Sequence, residues 1–121
     1  MQGCRIVVLV EDEPLQREAM LDWLVDDGCV VHPASSHDEA LSLFSAIPDV
    51  TALVTDIALG GDENGLDLAR RVQAGWPDVR QIIMSGQLRP RAAEIPVGAL
   101  FCTKPCPPQV LTTLVRQCAK W

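Results

Sequence analysis

Ile6-Val7-Val8-Leu9-Val10, followed at once by Glu11-Asp12-Glu13, sets the terms on which the rest of the chain can be read. An unbroken apolar run rich in β-branched residues is the pattern of a strand covered on both faces, as in a parallel sheet. Three further runs repeat the arrangement. Ala52-Leu53-Val54-Thr55 leads to Asp56, Gln81-Ile82-Ile83-Met84 leads to Ser85-Gly86, and Leu100-Phe101-Cys102-Thr103 leads to Lys104-Pro105. In an open α/β sheet, ligands bind in the crevice beyond the carboxyl ends of the strands. The four polar segments are therefore expected to meet there. Two or three carboxylates, a hydroxyl and an ammonium in one crevice make a site for a divalent cation and a phosphoryl group.

Between these runs the spacing predicts helices. Pro14 suits an early helical position, and Leu15, Ala19, Leu21, Trp23 and Leu24 recur at roughly helical intervals up to Asp26-Asp27-Gly28. Val30-Val31 form a short second strand. Ser36 and Glu39 stand in capping-box spacing ahead of Ala40, Leu41, Leu43, Phe44 and Ile47, and Pro48 closes that helix. Strand three runs from Val50 to Ile57, a Gly-rich loop from Gly60 to Gly65, and a helix through Leu66, Leu68, Ala69 and Val72 to Gly75. Val79 to Met84 is strand four. From Gln87 to Pro96 the prolines at 90 and 96 leave room for a short helix only. Gly98 to Cys102 is strand five, and a last helix from Pro107 to Cys118 turns Val110, Leu111, Leu114 and Val115 inward. Five strands alternating with five helical segments imply an α/β fold, a five-stranded parallel sheet with helices on both faces. Residues 1–121 are expected to form a single domain.

Composition narrows the function. A formal net charge of −6 argues against a nucleic-acid surface, which needs clustered Lys and Arg. No apolar run approaches the roughly 20 residues that span a bilayer, and Met1 to Arg5 has no signal-peptide layout, so a cytoplasmic protein without a membrane partner is expected. The five cysteines include no CxxC pair, and neither a histidine nor a third cysteine stands near Cys102 and Cys106 to complete a zinc site. They are read as reduced, small apolar side chains. His32 and His37 belong near the second strand and second helix, Trp23 to the core, and Trp76-Pro77 to a helix terminus.

The chemistry follows from the residue types. Glu11 and Asp12 facing Asp56 would be crowded like charges, which a cation relieves; a few carboxylate oxygens with room for water and phosphate suit Mg²⁺. The same triplet also suits a helix N-terminus, where carboxylates favour the dipole. Asp56 is the candidate nucleophile, able to form an acyl phosphate. Lys104 can set a point charge against a phosphate oxygen, and Ser85 can donate a hydroxyl hydrogen bond.

This set, in this order, resembles the receiver domain of two-component response regulators over nearly the whole chain. Gly65-Leu66, Gly98-Ala99 and the proline after Lys104 match as well. The resemblance implies a flavodoxin-like doubly wound (βα)5 fold with Asp56 as phosphoacceptor and Lys104 and Ser85 as its catalytic partners. It also implies Mg²⁺ held by Glu11, Asp12, Asp56 and the backbone carbonyl of Ala58, with Ser85 and Phe101 as the switch pair. Three features depart from the family pattern: a longer loop from Leu59 to Gly65, a short Pro-flanked interval before Lys104, and no effector domain after the last helix.

The expected function is a phosphoacceptor switch, not a turnover enzyme. A sensor histidine kinase or histidine phosphotransfer protein would supply the phosphoryl group, and a downstream protein target would read the altered surface. The chain would be a stand-alone regulator or a receiver excised from a hybrid kinase. Two alternatives use the same residues. One is a binding module of this fold that is not regulated by phosphorylation. The other is a small Mg²⁺-dependent phosphatase with an aspartyl nucleophile, although that chemistry usually places a second acid where Ala58 stands.

Overall fold

β1 (Ile6–Val10) realises the opening run residue for residue. The protein is described by a computed structural model covering residues 5–56, 65–85 and 98–117. Val7 to Val10 are wholly buried, and the pleat sends alternate side chains into two cores. Val7 and Leu9 pack with Met20, Leu24, Leu111 and Val115; Val8 and Val10 pack with Ala40, Phe44, Leu68 and Val72. A strand buried on both sides has no place for a polar residue, which is why the carboxylates begin only at its end.

After β1 the chain forms α1 (Pro14–Asp26), β2 (Val30–Ala34), α2 (His37–Ala46) and β3 (Ala52–Asp56). It continues through α3 (Gly65–Gly75), β4 (Arg80–Ser85), β5 (Leu100–Thr103) and α4 (Pro108–Gln117). All strand pairs are parallel, in the order β2-β1-β3-β4-β5. Helices α1 and α4 cover one face and α2 and α3 the other. This is the doubly wound, flavodoxin-like arrangement the strand pattern implies. The chain leaves β1 toward β2 and then returns to β3 on the other side, so a crevice opens beyond the carboxyl ends of β1 and β3.

Local chemistry sets the helix ends. Pro14 occupies the first turn of α1, where its missing N–H costs nothing, and the Glu13 carboxylate caps the helix by accepting from Gln16 N at 2.7 Å. The other end is a Schellman turn. Gly28 takes a positive φ of 89°, its N–H reaches Val25 O at 3.0 Å, and Cys29 N–H reaches Leu24 O at 3.0 Å. Ser36 caps α2 by accepting from Glu39 N at 3.2 Å, while Glu39 accepts from Ser35 N at 2.6 Å, one residue beyond the expected reciprocal bond.

Several sequence expectations shift. Leu15 is not a core residue: its side chain is 75% exposed. It lies five positions from buried Met20, about 140° around the helix, and Val25, five positions on the other side, is exposed as well. Val110 is 42% exposed, one step before the buried Leu111. β2 is longer than Val30-Val31, because an edge strand tolerates Pro33, whose missing N–H need not enter a ladder. β3, β4 and β5 each begin one or two residues later than expected. Ile57, the Gly-rich loop up to Asn64, and the interval from Gln87 to Pro96 lie outside the described residues.

Asp27 fastens the amino edge of this layer. Arg116 of α4 grips both of its carboxylate oxygens, and Arg5 reaches Asp27 Oδ2 at 3.3 Å and the Asp27 carbonyl at 2.7 Å. The hydrogen bonds from Arg116 hold the Asp27 carboxyl below the usual range against the opposing effect of burial, with Arg5 adding to the pull. A depressed folded pKa contributes stability above the unfolded value, and that stability disappears as pH falls through the folded value. Asp27→Asn is therefore expected to melt a few degrees lower than wild type at pH 7, with the gap closing below about pH 4. Circular-dichroism melts across pH measure this; a gap that stays constant into acid would refute it.

Candidate functional site

Asp56 is the last residue of β3 and Ser85 the last of β4; both are about 5% exposed. Glu11 follows β1 directly and is 1% exposed. Its N–H continues the parallel ladder by donating to Ala34 O at 3.0 Å, and Arg17 Nη1 donates to its carbonyl at 2.9 Å. Lys104 follows β5, and its N–H donates to Ser85 O at 2.8 Å, so β4 and β5 present their functional residues side by side. The Lys104–Pro105 peptide is cis.

Three of the four segments meet through one ammonium. Lys104 Nζ donates to Asp56 Oδ2 at 2.7 Å and to Glu11 Oε1 at 2.9 Å, tying positions 93 and 48 residues apart in sequence. The second oxygen of Glu11 accepts from Glu13 N at 3.2 Å. Burial pushes the Glu11 carboxyl up from its ordinary value, with the Lys104 hydrogen bond opposing it. For Lys104, burial favours the neutral amine, yet the hydrogen bonds to Asp56 and Glu11 outweigh it and hold the ammonium more firmly charged. Asp12, the next residue along, is exposed. The acidic triplet thus divides: Glu11 meets Lys104, Asp12 is exposed, and Glu13 caps α1.

With this geometry in view, the comparisons with known proteins fall into place. The family profile described as the response regulator receiver domain matches residues 7–116. The chain belongs to that family. A curated relative, the sensor kinase CckA of Brucella abortus (strain 2308), is 31% identical over 97% of this receiver domain, which spans 13% of that protein's length. Among solved structures, a response regulator receiver domain protein from Clostridium thermocellum superposes with a TM-score of 0.86 at 24% identity, covering 94% of this chain and 93% of that one. A receiver protein from Sinorhizobium medicae WSM419 superposes with a TM-score of 0.82 at 24% identity, covering 96% and 94%. The response regulator TrrA from Thermotoga maritima, solved in complex with Mg²⁺ and BeF, gives 0.81 at 20% identity, covering 94% and 98%.

In this receiver domain the structure brings together Glu11, Asp56, Ser85 and Lys104, and places Asp12 beside them. The Ala58 carbonyl expected as a metal ligand lies outside the described residues. Phe101 stands on β5, partly buried against Leu66, Ala69 and Ile83. Among the described residues no three acidic, His or Cys side chains are gathered as a cage. The donors nevertheless fit Mg²⁺ in kind. All are hard carboxylate oxygens, and three carboxylates against one ammonium leave two negative charges, the charge a divalent cation supplies. Sequence reasoning missed two contacts here: Glu11 as a partner of Lys104, and Arg17 holding the Glu11 backbone. Neither has a signal in local spacing.

Removing the ammonium would take away the cation that Glu11 and Asp56, both buried, share. Lys104→Met is expected to destabilise the fold by about 3 kcal/mol at pH 7. The sign with pH follows from Glu11, whose folded pKa is raised. Its stabilising protonated form is present below the unfolded value and lost as pH rises through the folded one, so the deficit of the variant should shrink toward about pH 4. Urea unfolding at several pH values tests this, and a pH-independent deficit would contradict it.

Proposed function

We propose that Asp56 accepts a phosphoryl group from a phosphohistidine on a partner kinase or phosphotransfer protein, and that the resulting aspartyl phosphate alters a protein-binding surface. The observation that carries this reading is the Lys104 ammonium held between Asp56 and Glu11 at the carboxyl edge of the sheet. The Asp56 carboxylate, with Oδ2 on Lys104, would attack phosphorus. As the new O–P bond forms, the P–N bond to imidazole breaks, and the leaving imidazole recovers its electron pair. Lys104 is close enough to pass from Asp56 Oδ2 to an oxygen of the arriving phosphoryl group, and Ser85 can donate its hydroxyl to another. Mg²⁺, held by Asp12, Asp56 and Glu11 and by the Ala58 carbonyl, would neutralise charge on the phosphoryl oxygens.

Two comparisons support the partner and the metal. The matched stretch in the relative belongs to a protein named as a sensor kinase, in keeping with a phosphohistidine donor. A structural neighbour was solved with Mg²⁺ and BeF. The switch would be Ser85 drawn toward the phosphoryl group, with Phe101 turning into the space released; Phe101 and Ser85 stand on adjacent strands. Phosphorylation would then bias two packings of one element through new charge-assisted hydrogen bonds. We place this activity in the cytoplasm; among the described residues no helix is long and apolar enough to cross a membrane.

Incubation with acetyl phosphate and Mg²⁺, followed by intact-mass analysis and peptide mapping, is expected to show one phosphoryl group on Asp56. Asp56→Asn should abolish the gain, and continued labelling of that variant would overturn the assignment. Lys104→Ala should still be labelled to some extent while losing the spectral response to phosphorylation; an unchanged nuclear magnetic resonance response would remove Lys104 from the switch.

A further inference from the structure

The opposite edge of the sheet carries a second concave feature that phosphoryl chemistry does not use. Where α2 and α3 end and β3 and β4 begin, a groove of about 560 Å³ opens around Phe44, Ile47, Asp49, Trp76 and Asp78. Its floor is aromatic. Phe44 is buried and Trp76 only partly so, with ring centroids 5.2 Å apart and planes tilted by 37°. The backbone holds this floor in place: Trp76 N donates to Val72 O at 2.7 Å, and Val79 N donates to Trp76 O at 3.1 Å. Both acidic residues are exposed, and Asp49 is held in the left-handed region at φ 63°.

The charge is one-sided. None of the residues lining this groove is Lys or Arg, and Arg80, next along the chain, is exposed without lining it. A neighbouring groove of about 500 Å³ on the outer side of α2 meets the first at Ala46 and adds Asp38 and Glu39, again without a basic residue. A partly accessible indole in a groove that two exposed carboxylates also line suits a guanidinium, which can stack on the ring while its N–H groups meet the acids.

We propose that this groove docks a segment of a partner protein that presents an arginine next to an apolar side chain. The apolar residue would lie against Phe44 and Ile47, and the arginine would stack on Trp76 between Asp49 and Asp78. The groove begins near Val50, two residues before β3 and six before Asp56, so about 20 Å of extended chain separates the two sites. Docking here leaves the phosphoryl crevice free, and a partner bound at each edge can be present together.

The test is a nuclear magnetic resonance titration of the whole chain with an acetylated, amidated Ala-Arg-Leu-Arg-Ala peptide, alongside the same peptide carrying citrulline, which keeps the shape and removes the charge. The expected result is saturable shifts confined to residues 44–50 and 75–79 and the Trp76 indole, with binding about tenfold weaker for citrulline. Asp49→Asn with Asp78→Asn should weaken the arginine peptide to a similar degree, asparagine being tolerated at a positive φ. Labelling of Asp56 by acetyl phosphate should be unchanged in that variant, which separates this result from the fate of the phosphoacceptor reading. Shifts spread over the acidic surface, equal binding of the citrulline peptide, or no saturation at millimolar peptide would overturn the proposal.

Discussion

A partly buried ammonium between two buried carboxylates is the constraint around which this domain is arranged. Glu11 and Asp56 follow or end adjacent strands, each almost fully removed from water. Alone, they would be like charges in a poorly screened pocket, a combination that drives carboxylates to take up protons. Lys104 meets one oxygen of each, while burial pushes the Glu11 carboxyl up against the opposing Lys104 hydrogen bond. Asp12, the next residue along the chain, is exposed.

The fold supplies this arrangement through strand polarity alone. Parallel pairing puts every carboxyl end on one edge, and the sheet order places β1 and β3 side by side at its centre with β4 next. Small devices hold the alignment. Thr51 donates to Ile6 O at 2.9 Å and accepts from Ile6 N at 2.6 Å, fixing where β3 begins against β1 and hence where Asp56 falls relative to Glu11. Gln81, buried at the foot of β4, donates to Ala69 O at 2.9 Å and sets α3 against that strand. A slip of one residue in either pairing would turn Asp56 or Ser85 toward a helix instead of the crevice.

Much of this was legible before any coordinates, for identifiable reasons. Buried parallel strands read as continuous apolar runs, so β1 could be bounded to the residue and the other central strands to within two. Residues placed by strand polarity, such as Asp56, Ser85 and Lys104, were equally readable, because the end of a run marks the edge of the sheet. Side-chain direction was less so. Leu15 and Val110 are apolar at nearly helical intervals, yet a difference of one position turns a side chain about 100° away from the core. The acidic triplet carried two readings, site and helix cap; Glu13 caps α1, and Glu11 pairs with Lys104. Which carboxylate accepts a lysine 93 residues away is a tertiary fact that no local pattern encodes. The edge strand β2 runs past Val31 through Pro33 to Ala34, since a proline that would break a central strand is harmless at an edge.

The two edges of the sheet answer different physical problems. At the carboxyl edge, charge is buried and paired through Lys104, with Ser85 ending the neighbouring strand and the partly buried Phe101 beside Ile83. At the amino edge, Asp27 is already satisfied by two arginines, and the groove at Phe44 and Trp76 is apolar, exposed and anchored by main-chain hydrogen bonds. The two edges are joined by the central strands, whose side chains are buried on both faces and, apart from Thr55, Asp56, Gln81 and Ser85, apolar among the buried residues described. The packed core between them is thus one continuous layer, with paired charge at one end and an aromatic floor at the other.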